Sequence, residues 1–171
     1  MKGGMHMDNE QLKSKFEAKY NQYGKMLYKI AFLYFGNSYD AEDALQEVFI
    51  KLMYDAPSFK DNNHEKAWLI RVTQNKCKDM LKSSSNKNTS IDDIELSDFV
   101  KTESDSQLDV IKQVVSLPAK YKTAIILHYY YDYSVSEISK TLQISHSAVK
   151  MRLKRGREIL KLELEDYGNE T

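Results

Sequence analysis

Ser134 and Ser145 lie eleven residues apart in SVSEISKTLQISHSAVKMRLKRGR, and each is placed to begin a helix. Ser134 and Glu137 have capping-box spacing, so each side chain can satisfy a free N–H at a helix start. Ile138 and Leu142 then fall on one face. After Leu142-Gln143-Ile144, Ser145 caps a second helix that buries Ala148, Val149, Leu153 and Ile159/Leu160, while Lys150, Arg152, Lys154, Arg155 and Arg157 point elsewhere. The segment reads as a helix-turn-helix whose second helix is a cationic strip, and DNA is the partner such a strip suits.

Periodicity elsewhere is helical too. Phe16, Tyr20, Tyr23, Leu27, Ile30 and Tyr34 alternate spacings of three and four, giving one long amphipathic helix that ends near Gly36-Asn37. From Asp40 a second helix, DAEDALQEVFIKLMYD, turns Ala41, Ala44, Leu45, Val48 and Leu52 inward, and Pro57 ends it. Phe59 to His64 reads as a loop before a helix from about Glu65 to Lys82 that buries Trp68, Leu69, Val72 and Leu81. SSSNKNTS at 83–90 is too polar and small to bury apolar area, so a domain boundary belongs there. Leu108, Ile111, Val114 and Val115 open the second domain, and Pro118 suits the first turn of a helix through Ile125-Ile126-Leu127. No alternating strand pattern persists. The expected fold is all-α: two small helical domains joined by a flexible linker.

The chain has 171 residues and a formal net charge of zero, but the charge is sorted. Residues 89–109 carry seven acids against one lysine, and residues 145–161 carry six lysines and arginines against one glutamate. A basic end favours phosphate, and an acidic connector is held off it by repulsion. Cys77 is the single cysteine, which excludes an internal disulfide or cysteine-built zinc site and favours a small buried hydrophobe in a reducing compartment. No apolar run reaches bilayer length, and the opening MKGGMHM has no signal-peptide core; it is consistent with a native start at Met7. His128 has no ligand-spaced partner, and no nucleotide loop or catalytic constellation is supported, so no metal, cofactor or enzymatic activity is expected.

In series, DAEDALQEVF, the loop opening with Phe59, WLIRVTQNKCKDML, the polar linker, LPAKYKTAIILHYY and SxSAVKxRLxRGR resemble the extracytoplasmic-function sigma factors of the sigma-70 family. The resemblance covers roughly residues 12–163. It implies an N-terminal tail at 1–11, a sigma-2-like domain at 12–82, a linker at 83–106, a sigma-4-like domain at 107–163 and a tail at 164–171. It implies an alternative sigma factor that binds core RNA polymerase and directs initiation through −10 and −35 elements.

On that resemblance the helix from Asp40 docks on the β′ clamp helices through Asp43, Gln46, Glu47, Phe49 and Met53, with the β flap a further polymerase contact. Phe49 is as well explained by the core. The −10 element is met by Phe59, Lys60, Asn62, Asn63, His64, Arg71, Asn75, Lys76 and Lys78, with Lys82 also near phosphates; Arg71 alternatively serves a pair within its domain. Trp68 is better explained by burial than as a wedge. The −35 element is met by Lys150, Met151 and Lys154 at base edges and His146, Ser147, Arg152, Arg155 and Arg157 nearer phosphates. The family commonly has Thr and Ser where this chain has Ala148 and Met151, so its −35 preference does not transfer. The resemblance further implies a cytoplasmic protein regulated by an anti-sigma factor, often tethered at the membrane. Two other functions fit parts of the sequence: an autonomous regulator that dimerises through the Phe16–Tyr34 stripe, and an interaction module with no DNA role.

Overall fold

The computed structural model describes residues 8–83 and 105–160, and every regular element among them is a helix. In chain order these are α1 (Asn9–Phe35), α2 (Ser38–Tyr54), α3 (Asn62–Ser83), α4 (Asp105–Ser116), α5 (Ala119–Tyr131), α6 (Val135–Leu142) and α7 (His146–Leu160). The expected start at Met7, nearly all of the linker and the C-terminal tail lie outside the described residues.

Local chemistry sets the boundaries. Gly36 ends α1 in the left-handed region (φ 73°), where a side chain would be strained, and its N–H donates to Phe32 O at 2.7 Å. Asn37 then starts α2: its Oδ1 accepts from Asp40 N at 2.8 Å and its Nδ2 donates to Asp40 Oδ2 at 3.0 Å. The third helix begins earlier than expected, at Asn62, because Asp61 Oδ1 accepts from His64 N at 2.8 Å and draws the supposed loop residues into a first turn. Its buried face also differs from the expected stripe. Leu69, Ile70, Thr73, Gln74 and Cys77 are buried, whereas Trp68, Val72 and Leu81 are only partly so.

Helices α1–α3 form one bundle and α4–α7 another. In the first, Leu27, Ile30, Ala44, Leu45, Val48 and Leu69 are at most 3% exposed. The start of the α1 stripe is a correction, since Phe16 and Tyr20 stay 39% and 45% exposed while their covered sides pack on Phe49. A 27-residue helix is about 40 Å long and overshoots the 17 residues of α2 beside it. In the second bundle Ile111, Val114, Ile138, Val149 and Leu153 are buried as expected, but Ile159 is exposed and Leu160 alone closes the end.

The middle of α5 departs from amphipathic periodicity: six consecutive residues, Lys122 to Leu127, are buried. A helix buried all round needs a neighbour on every side. One side is covered by α7, whose Gly156 lies so close to Ile125 that a Cβ there would meet its Cγ1 and Cδ1 at 2.8 Å. The other side is covered by α1 of the first bundle. The apolar core is consequently continuous across the two domains.

Candidate nucleic-acid interface

The helix-turn-helix is built as its caps dictate. Ser134 Oγ accepts from Glu137 N at 3.1 Å while Ser134 N donates to Glu137 Oε2 at 2.7 Å, and this backbone donor foremost holds the Glu137 carboxyl below its usual range. Ser145 Oγ accepts from Ala148 N at 3.1 Å. Between the helices Gln143 adopts φ 56°, and Ser139 Oγ ties the turn by donating to Ile144 O at 2.6 Å. With Val149, Leu153, Gly156 and Leu160 facing inward, α7 presents His146, Ser147, Lys150, Met151, Lys154 and Arg155 to solvent. Lys150, Met151, Lys154, Arg155 and Glu158 line one shallow depression. Its shape and sign suit a groove edge and its phosphates. The other two arginines differ. Arg157 Nη1 donates to Tyr129 Oη at 3.2 Å within the domain, and Arg152 is partly covered, its Nε buried without a hydrogen-bond partner.

Around the second candidate surface, Phe59 sits edge-on between His64 and Trp68, each centroid 5.5 Å away. His64 Nδ1 accepts from Lys60 N at 3.2 Å, so one edge of that ring serves the loop. Lys60, Asn62, Asn63 and Asn75 are exposed. Lys76 pairs with Glu47 of α2, bringing a predicted DNA contact onto a predicted polymerase contact. Burial pushes the Lys78 ammonium below its usual range, with the cations of Arg152 and Lys82 adding to the effect. Arg71 reaches out of its own domain: its Nη1 donates to Thr141 O, at the C-terminal end of α6, at 2.8 Å.

On α2, Asp43, Gln46 and Glu47 are exposed and Met53 is half-buried, but Phe49 is 1% exposed. It belongs to the core because α1 closes over it through Phe16 and Tyr20. The large apolar groups that α2 does expose, Tyr39 in its first turn and Ile50 and Tyr54 toward its end, escaped the sequence reading. So did a set of contacts between the two bundles. The Lys29 ammonium lies 4.3 Å from the Tyr130 ring centroid and that of Lys66 5.7 Å from Tyr133, so these tyrosines face the first domain. His128 is held locally, its Nδ1 2.8 Å from Tyr133 O. Cys77 is fully buried, which pushes its thiol up to about 12.

The family model for sigma-70 region 2 matches residues 20–87, and that for sigma-70 region 4 matches residues 107–160. This chain belongs to the sigma-70 family. Among curated relatives, the ECF RNA polymerase sigma factor SigW of Bacillus subtilis is 28% identical over 160 residues, spanning 84% of this chain and 86% of that one. The RNA polymerase sigma factor SigZ of the same organism is 29% identical over 139 residues, spanning 75% and 79%. In fold, the chain is similar to the sigma factor RpoE of Bartonella quintana, solved in complex with the anti-sigma factor NepR; the TM-score is 0.64 at 20% identity, over 86% of this chain and 94% of that one. The protein is an alternative, extracytoplasmic-function RNA polymerase sigma factor. Its family binds core polymerase and promoter DNA and consists of non-enzymatic initiation factors. Most of the α1 stripe proposed for dimerisation packs within the chain, where Tyr23, Leu27, Ile30 and Tyr34 are buried.

Proposed function

We propose that this sigma factor engages the −35 element with the α7 depression, using Lys150, Met151 and Lys154 at base edges and His146, Ser147 and Arg155 at phosphates. It engages the −10 element with Lys60, Asn62, Asn63 and Asn75 around Phe59, as a single strand. Its polymerase face is α2, where Asp43, Gln46 and Glu47 meet cations of the β′ clamp helices and Ile50 and Tyr54 supply apolar area; the sigma-4-like domain (107–163) meets the β flap. It acts in the cytoplasm, without catalysis of its own, and is held inactive by an anti-sigma partner. Among the described residues no helix is long and apolar enough to cross a membrane.

The observation that carries this reading is the depression on α7, where three cations, Lys150, Lys154 and Arg155, outnumber the single acid Glu158, raised on a helix whose opposite face is buried. Run-off transcription with native core polymerase on fragmented host DNA is the test. Discrete new starts sharing −10 and −35 elements are expected, and Lys150→Ala with Lys154→Ala should abolish them while complex formation with the core persists. Absence of any complex with an active core would refute the reading.

A further inference from the structure

A notch lies beside the −10 loop where α2 stops short of α1. Pro57 lacks an N–H and disfavours helix at the residue before it, so α2 ends at Tyr54 while α1 runs on beside the gap. The space left between α1, the end of α2 and the turn into α3 measures about 360 Å³; Ala56, Pro57 and Phe59 form its apolar wall, and Lys15, Lys19 and Glu65 its polar side. Glu65 is only 5% exposed, and both of its carboxylate oxygens lie on the Lys19 ammonium, Oε1 at 2.7 Å and Oε2 at 2.8 Å. One turn on from Lys19, Tyr23 Oη donates to Asn62 O at 3.4 Å, which ties this part of α1 to the first turn of α3. A carboxylate accepts at about four lone-pair sites and an ammonium donates three times, so the pair keeps acceptor and donor capacity toward the notch that both residues line.

Three properties point to the occupant. Phe59 is shared with the −10 loop, whereas Lys60, Asn62, Asn63 and Asn75 do not line the notch, so it is a separate site on a continuous surface. Its wall offers the flat faces of a proline and a phenylalanine, on which a base can lie. Lys13 and Lys15 are exposed on the adjoining turn of α1 and supply cations for a phosphate. We propose that the notch is a second nucleotide pocket, apart from the −10 reader, which takes an unstacked guanine flanking the −10 element. The proposal rests on the −10 reading above. Guanine fits because its edge carries two adjacent donors, N1–H and the N2 amine, for the Glu65 carboxylate, with O6 beside them to accept from Lys19. Adenine, cytosine and thymine each present a single donor group on that edge.

The test selects strands from a pool of random single-stranded oligonucleotides on holoenzyme assembled from core polymerase and the full-length chain, wild type or Glu65→Gln. The wild type should enrich a −10 motif with guanine at one fixed flanking position, favoured about fivefold or more over the other bases. Glu65→Gln should keep the motif and lose that guanine, because the amide replaces one acceptor oxygen by a donor. Inosine in place of the guanine lacks only the N2 amine and should weaken binding to the wild type about threefold or more; it decides the matter if Glu65→Gln does not fold. Lys15→Ala should weaken binding of the selected strand whatever base stands at that position. A motif with no fixed flanking guanine, a guanine preference that survives Glu65→Gln, or inosine bound as well as guanine would overturn the pocket. Weaker assembly of Glu65→Gln with core polymerase, with the motif unchanged, would also overturn it and mark the notch as a polymerase contact. No motif at all from an assembled holoenzyme would refute the −10 reading itself, and the pocket with it.

Discussion

Lys122 carries the chain's clearest pH dependence. Burial lowers its ammonium from the ordinary lysine range to about 7, with the neighbouring Cys77 thiol acting the other way. Tyr34, itself pushed up by burial, and Arg152 complete the titratable and charged surroundings. Below pH 7 the lysine is protonated whether the chain is folded or unfolded, so folding bears the full desolvation. Between about 7 and the value of an exposed lysine the folded chain releases the proton first, and its stability rises with pH. Urea unfolding should therefore show the chain gaining stability from pH 7 to pH 9, and Lys122→Ala should abolish the trend. Gly156 is a second single-residue constraint. With a Cβ forced to within 2.8 Å of Ile125, Gly156→Ala should cost about 1–3 kcal/mol in thermal or denaturant unfolding and lower DNA binding by displacing α7.

At the scale of the element, the helix-turn-helix holds one device that stabilises it and one that strains it. Ser134→Ala removes the reciprocal cap and should destabilise by about 0.5–2 kcal/mol in urea unfolding. Gln143 holds a left-handed conformation without the freedom of glycine, so Gln143→Gly should stabilise by a few tenths to about 1 kcal/mol in the same assay. Both helices of the motif were legible in the sequence because caps act over three or four residues, and a serine with a glutamate three positions on leaves few alternatives. The start of α3 was less so: Asp61 is as good a turn residue as a cap, and only the folded chain shows it accepting from His64. The surroundings of Phe49, which the sequence leaves equally open between core and contact, and of Arg152 were hidden for another reason. Each is covered by an element distant in sequence. The signal available was the run from Lys122 to Leu127, too long for one buried stripe.

For the whole molecule, the exposed cations of α7 predict salt-dependent binding. Replacing Lys154 by alanine should weaken duplex binding across sequences and reduce the slope of log affinity against log salt by about 1, measured by titration over a range of salt concentrations. The two domains were recognisable from the linker composition and the charge sorting, but their contact was not, because it is made of backbone carbonyls that no sequence pattern marks.

That contact has a consequence for ionic strength. The seam is held by short, largely water-excluded bonds from Lys122, Tyr34 and Arg71, which dissolved ions screen little, whereas the promoter is held through phosphates whose counterions must be released. Added salt therefore weakens one kind of contact and spares the other. As salt rises, the chain should let go of DNA while its two bundles keep their mutual grip.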